Sequence, residues 1–232
     1  MRILGLDTSG KIASVAVTDD EKLICEKVLY TNLTHSQIIM PMVQEVMKES
    51  GLTFEDIDAI AVANGPGSYT GLRIGIAAVK GICLGAPHIR CAGISTLEAM
   101  AYNSSAFCGK IISVMRARPN IVYVGEFLSD GESISRISED KVCPETEVFS
   151  NLDLSEKIML TGDYCTQIKE KYFANEKNIV CAGKTQRLQR ASSLCTALEH
   201  NPEYFTNAEN LEVAYLQATK AEKDKAHKEE TK

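Results

Sequence analysis

The chain has 232 residues, 44% of them hydrophobic, with 25 Lys and Arg against 31 Asp and Glu for a formal charge of −6. That length supports one large core or two modest ones, and the apolar fraction excludes a fibrous or wholly disordered polymer. The acidic balance excludes a protein that grips nucleic acid by bulk electrostatics, because phosphate binding rests on lysine and arginine.

Met1-Arg-Ile-Leu-Gly-Leu-Asp7 is interrupted by its acid too soon to serve as a secretory leader, and no stretch reaches membrane-spanning length. The expectation is a soluble, cytoplasmic protein. Strands are predicted over Ile3 to Asp7, Ile12 to Thr18 and Leu23 to Tyr30, joined by polar turns into an antiparallel meander. Thr34 and Gln37 have capping-box spacing, and Ile38, Ile39, Met42, Val43, Val46 and Met47 then mark a helix that Pro41 should kink and Gly51 should end. A strand over Ile57 to Ala63 leads into Asn64-Gly-Pro-Gly-Ser-Tyr-Thr-Gly-Leu-Arg-Ile-Gly75, which packs four glycines and a proline ahead of a helix over Leu72 to Leu84. Such a loop, at the C-terminal edge of a strand and the N-terminus of a helix, is where open α/β sheets place ligands and where free N–H groups meet anions. Thr70 is expected to cap the helix.

A strand over Ile89 to Gly93 and a helix begun at Ser95 complete the order β-β-β-α-β-α-β-α. From Lys110 the pattern restarts more faintly, with strands over 111–115, 121–128 and 133–137, a short helix over 144–149, a strand over 158–161 and a helix over 188–198. This reads as an internal duplication, with its boundary in the small, polar stretch from Asn103 to Gly109. The domains expected are residues 1–104, a degenerate second lobe over 105–210, and a segment over 211–232, partly helical and packing on the first lobe, whose charged end from Ala218 should fray. The eight cysteines show no Cys-x-x-Cys pair and read as buried free thiols, without a zinc site or disulfide framework.

Ile3-Leu-Gly-Leu-Asp-Thr-Ser9 with Ser14-Val-Ala-Val17, the block from Gly65 to Gly75, and Gly93-Ile-Ser-Thr-Leu-Glu-Ala-Met100 strongly resemble the TsaB family, also called YeaZ. The match is close over the first hundred residues and loose beyond. The resemblance implies the actin-like, sugar-kinase and Hsp70 ATPase (ASKHA) fold, built from two β-β-β-α-β-α lobes. It also implies a non-catalytic subunit that pairs with the catalytic subunit TsaD and works with the ATPase TsaE. Their product is a threonylcarbamoyl group on N6 of adenosine 37 in tRNAs reading codons that start with A. Two departures stand out: Arg116-Ala-Arg-Pro119 replaces the family's Asp-Ala-Arg-Arg, and Tyr215-Leu-Gln217 replaces its Tyr-Leu-Arg.

The chemistry open to these residues is limited. Asp7, Thr8 and Ser9 outline one phosphate turn, but Arg116 stands where the acid of a second would be, and no paired glycines follow residue 150 to cradle an adenosine. Asp7 is therefore read as a turn residue ahead of a vestigial phosphate contact. His35 stands alone near the start of its helix, and His88, His200 and His227 are too scattered for a ligand set, so no metal is expected. Within the loop Gly65, Pro66, Gly67, Ser68, Tyr69 and Thr70, neither hydroxyl residue has a nearby histidine, and Gly-x-Ser-x-Gly is absent. A kinase or an M22-like peptidase of the same fold remains the enzymatic alternative, and a chaperone-like module a third reading.

Gly71, Gly75, Ala78, Ile82 and Gly85 fall on one narrow helical face. By the residues alone this stripe serves internal packing or docking equally. The resemblance turns it toward an intermolecular helix bundle, with His35, Ile38, Ile39, Met42, Gly71, Leu72, Arg73, Gly75, Ala78 and Ile82 as partner surface. Arg73 is read as a partner or anion contact, and Gly75→Leu should abolish pairing while the monomer stays folded. Left alone, the chain should homodimerise through the same face. No cofactor of its own is expected, a nucleotide having a place only at a shared interface, and tRNA is to be met through the complex.

Overall fold

The computed structural model describes residues 1–20 and 22–217; the tail expected to fray from Ala218 lies outside them. The first repeat runs β1 (Arg2–Asp7), β2 (Ile12–Asp19), β3 (Lys22–Tyr30), α1 (His35–Ser50), β4 (Ala59–Gly65), α2 (Tyr69–Gly85), β5 (Arg90–Ser95) and α3 (Thr96–Tyr102). The second runs β6 (Gly109–Arg118), β7 (Ile121–Ser129), β8 (Ile134–Pro144), α4 (Glu145–Phe149), β9 (Ile158–Thr161), α5 (Cys165–Tyr172), β10 (Ile179–Cys181) and α6 (Ala191–His200), with β11 (Phe205–Thr206) after it.

The two sheets share one strand order. The first is β3-β2-β1-β4-β5 with β11 added at its edge, and the second is β8-β7-β6-β9-β10. In both, the opening three strands pair antiparallel and the last two join in parallel. The duplication read in the sequence is present in the topology.

Strand alternation explains how the sheets are layered. Leu4, Leu6, Ile60 and Val62 face α1 and α2, whereas Ile3, Ala59, Ala61 and Ala63 face α6. The small residues on the second face let α6 sit close: a Cβ on Gly5 would lie 2.4 Å from the Ala191 carbonyl oxygen. In turn α3 packs through Leu97 and Met100 on Ile111, Met115 and Phe127 of the second sheet. Each repeat's last helix thus covers the other repeat's sheet, and α3 meets α6 between them. α4 and α5 cover the outer face of the second sheet.

This exchange corrects the expected second lobe over 105–210, because α6 and β11 belong by packing to the first sheet. A buried ion network reinforces the junction. Arg136 of β8 reaches Glu98 of α3 at 2.7 Å and Asp140 at 2.5 Å, Ser95 donates to Asp140 at 2.5 Å, and the Tyr204 hydroxyl donates to Glu98 at 3.1 Å.

Local signals account for most boundaries. The Thr34 N–H donates to Gln37 Oε1 at 3.2 Å, α1 runs through Pro41 to Ser50, and Gly51 closes it in the left-handed conformation at φ 69°. The cap of α2 is Ser68, whose Oγ accepts the Gly71 N–H at 3.3 Å, and not Thr70, which is exposed. β8 runs to Pro144 instead of ending at Ile137, since an edge strand wetted along one side carries the charges that make it read as a loop. α5, β10 and β11 are additions to the expected elements; they are too short to leave a periodic pattern, with only Cys165 and Ile168 of α5 buried. Residues 211–217 form no helix; they lie along α2, with Leu211 in the first core and Ala214 N–H donating to the Asn64 carbonyl at 2.8 Å. All eight cysteines are free; five are buried, Cys25 and Cys181 are half-buried, and Cys108 is exposed, contrary to expectation.

Candidate docking face and the inter-lobe turn

The glycine loop bends over the turn between β1 and β2. Ser68 N–H donates to the Ser9 carbonyl at 2.7 Å, and the Thr8 hydroxyl donates to the Gly71 carbonyl at 2.7 Å. A Cβ on Gly71 would stand 2.1 Å from the Thr8 carbonyl oxygen, and one on Gly75 would stand 2.5 Å from Thr8 Oγ1 and 3.3 Å from Val62 Cγ2. Those glycines are needed for close internal approach. Gly65, Pro66 and Leu72 are buried with them, Gly67 is half-buried, and the Gly65–Pro66 peptide is cis.

Asp7, Thr8 and Ser9 are fully buried. Asp7 Oδ1 accepts both the Ser9 N–H, at 2.8 Å, and the Ser9 hydroxyl, at 2.7 Å, while Oδ2 has no partner. Burial pushes its carboxyl up to about 6, against the pull of the Ser9 bonds. The hydroxyls an ATPase of this shape would aim at phosphate are therefore spent inside the protein. Across the cleft, the Arg116 N–H donates to Asp163 Oδ1 at 3.1 Å, and burial raises the Asp163 carboxyl. A cavity of about 280 Å³ lies between the two sides, walled by Lys11, Ile12, Tyr30, Asp163, Arg187, Leu188 and Gln189. It is at the small end for a ligand pocket, and the side chain of Gln189 fills the space over Gly10. These residues do not fit a nucleoside triphosphate with its metal. His35 is also occupied, its Nε2 lying 2.9 Å from the Gly10 carbonyl, and burial lowers its pKa. Among the described residues no three His, Cys, Asp or Glu side chains gather as a metal set.

The predicted partner surface divides in two. Ile38, Ile39, Met42, Gly71, Leu72, Gly75 and Ile82 are buried, most of them in the first core, so the stripe drawn through Gly71 and Gly75 is an inner face. Gly75→Leu would push a side chain into Thr8 and Val62 and damage the monomer, contrary to expectation. Turned outward by about one position is a second small-residue line, Ala77, Gly81 and Gly85, with Ala78 half-buried beside it. An added Cβ at Gly81 or Gly85 meets nothing within 4 Å. Between this line, Met40 of α1 and Phe54 lies an open, apolar groove of about 620 Å³, flanked by Leu84 at 85% exposure. Its floor is Ile82 and Ala86, its single charged neighbour Glu55.

Arg73 is held by two tyrosines of the same chain. Its Nε donates to the Tyr215 hydroxyl at 2.8 Å, and its guanidinium lies 4.0 Å from the centre of the Tyr69 ring, which stacks on Tyr215 at 5.2 Å. Tyr215, in the motif Tyr215-Leu-Gln217, thus fastens the segment over 211–217 to the start of α2.

A model of the family described as TsaD, tRNA N6-adenosine threonylcarbamoyltransferase, matches residues 30–224. The tRNA threonylcarbamoyladenosine biosynthesis protein TsaB of Haemophilus influenzae is 32% identical over 169 residues, covering 66% of this chain and 68% of that protein. The chain belongs to the TsaB family. The Escherichia coli K12 TsaB is 36% identical over 150 residues, and the match spans 64% of each protein. The Bacillus subtilis TsaB is 28% identical over 211 residues, covering 87% of this chain and 83% of that one. Among solved structures, YeaZ from Pseudomonas aeruginosa superposes with a TM-score of 0.77 at 22% identity, covering 93% of this chain and 99% of that one. The ethanolamine utilization protein EutJ from Carboxydothermus hydrogenoformans gives 0.54 at 14% identity, covering 85% and 90%. The two duplicated sheets with exchanged helices are those of the actin-like ATPase and sugar-kinase fold. No helix among the described residues is long and apolar enough to cross a membrane.

Proposed function

We propose that this TsaB-family chain acts in the cytoplasm, in the biosynthesis of threonylcarbamoyladenosine on tRNA, as a subunit without catalysis of its own. The outer groove between α1 and α2 receives a helix of the catalytic subunit TsaD, the ATPase TsaE serves the same complex, and tRNA is met through that complex. The groove carries this reading: it is apolar, lined by small residues that admit a helix backbone, and open. The buried hydroxyls of Thr8 and Ser9 and the Arg116 substitution support the absence of intrinsic nucleotide chemistry, a nucleotide having a place only where two subunits meet. Without TsaD, two copies pair through the same face.

Gly81→Leu tests the groove without touching the core, since its Cβ projects into open space and leucine favours the helix. The folded variant is expected to lose capture of TsaD in a pull-down and to run as a single chain in light scattering; capture at the wild-type level would remove the groove from the proposal. TsaD should modify tRNA only when this chain is added back. Calorimetry of the isolated chain with ATP and magnesium should give no heat, and clear binding would favour the kinase alternative.

A further inference from the structure

The mouth of the inter-lobe cavity gathers cations from three separate parts of the chain. Lys11 stands in the turn between β1 and β2 and Arg187 in the loop over 182–190, and both line the cavity, whose one acid is Asp163. Arg116, near the end of β6, is tied to the same spot: its backbone N–H donates to Asp163 Oδ1 at 3.1 Å, while its guanidinium lies 5.7 Å from the centre of the Tyr164 ring. Lys11 and Arg116 are exposed and Arg187 is half-buried. None of these three side chains forms an ion pair among the described residues. Arg190, at the end of the same loop, is by contrast spent on Glu26 at 3.0 Å. We propose that Lys11, Arg116 and Arg187 hold the phosphate backbone of an unpaired stretch of tRNA, with the ring of Tyr30 as the surface on which a base stacks.

Three unpaired cations around one carboxylate repel one another, and an anion placed among them relieves that repulsion. Guanidinium forks suit phosphate in particular, because two parallel N–H donors meet two of its oxygens. The cavity of about 280 Å³ is small for a ligand pocket, and its cations sit at an open mouth, which suits one phosphate of a longer chain better than a free nucleotide. Tyr30 also lines it and is 64% exposed, a flat ring beside the cations with nothing laid over it. Aromatic faces next to a basic track are how unpaired RNA is held, whereas an acidic peptide would use the charges and leave the ring idle. A net charge of −6 on the whole chain repels RNA elsewhere, so contact is confined to this local cluster. The inference rests on the reading that the chain serves tRNA modification, and adds that the chain itself touches the RNA.

The test measures fluorescence anisotropy of a labelled tRNA carrying adenosine 37 against the full-length chain. Three phosphate contacts to a single strand predict a slope of about −2 in log affinity against log salt. Lys11→Glu with Arg187→Glu is expected to weaken binding at least tenfold. Asp163→Asn keeps an oxygen for the Arg116 N–H and removes a negative charge, and should tighten binding about twofold, a gain that a merely structural role would not give. On the unsubstituted protein, ultraviolet crosslinking should join RNA to the peptide carrying Tyr30, which reads the site without any variant. Lys157→Glu with Lys177→Glu makes the same charge change just before β9 and β10, at the other end of those strands, and should bind as the wild type does. Equal weakening by that pair, wild-type binding by the first pair, or crosslinks confined to other peptides would overturn the proposal. So would displacement of the tRNA by millimolar inorganic phosphate, which assigns the cluster to a small anion, or by polyglutamate of matched charge, which assigns it to an acidic protein. Loss of TsaD capture with tRNA binding kept would break the functional reading and leave this site standing, and the reverse pattern would overturn the site alone.

Discussion

The two repeats share a strand order but not their outer helices. α1 and α2 have 16 and 17 residues, whereas α4 and α5, in the same places, have 5 and 8. The sheets and the exchanged helices α3 and α6 are kept in both, because they build the centre of the molecule. The contrast teaches that the duplicated architecture is held by the middle layers. The long outer helices of the first repeat then leave an apolar groove that no part of the described chain fills, and the proposed docking uses it.

Substitutions at corresponding points should test that division. Gly162 comes just after β9 and Gly65 is the last residue of β4, and both have positive φ, 103° and 135°. An added Cβ at Gly162 would stand 2.0 Å from the Val114 carbonyl inside its own sheet, while at Gly65 it would stand 2.4 Å from the Ala214 carbonyl of the C-terminal segment. Gly162→Ala is expected to lose about 3 kcal/mol or more in urea denaturation, and Gly65→Ala less, because residues 211–217 can yield where a sheet cannot. Equal losses would show the C-terminal segment to be as rigid as the sheet.

The junction should respond next. Arg136→Ala strips Glu98, buried in α3, of its cation and should cost about 3 kcal/mol, lowering the single cooperative transition of both repeats together. Two separated transitions in calorimetry would mean that the exchanged helices alone bind the halves.

Asp7 gives an effect of opposite sign. Its folded pKa of about 6 lies above the ordinary carboxylate value of 3.8, so the native state binds the extra proton between those values, and stability falls as pH rises from about 4 to about 6. Asp7→Asn removes the buried charge and is expected to stabilise the chain at pH 7 by up to about 3 kcal/mol, flattening the profile of urea midpoint against pH. A variant less stable than the wild type at pH 7 would show that the unpartnered Oδ2 meets a compensating group.

The smallest effect is expected at Tyr215. Tyr215→Ala removes the ring stacked on Tyr69 and should speed amide exchange over 206–217 while leaving the global midpoint unchanged. A lowered midpoint would make the C-terminal segment part of the cooperative core.

Much of this was legible in the chain because local chemistry sets it. The Thr34 and Gln37 spacing, Gly51, and Ser95 with Glu98 each fix a backbone feature through neighbours a few residues away. Legibility faded in the second repeat, where β10 has three residues and α5 buries only two side chains, too few for periodicity to register. The small-residue stripe on α2 was drawn in the phase that faces inward. Helical spacing grouped Gly71 and Gly75 with Gly85, but periodicity cannot say which side of a helix meets its own sheet.

By itself, then, the sequence determined the duplicated order of elements, the family and the absent acid at Arg116, since these are written in residue types and short spacings. Only the tertiary structure decided that α6 crosses to the first sheet and that Gly71 and Gly75 face Thr8 while Gly81 and Gly85 face outward. Those facts rest on contacts between residues far apart in the chain, and the packing of whole layers, not any local preference, selects among them.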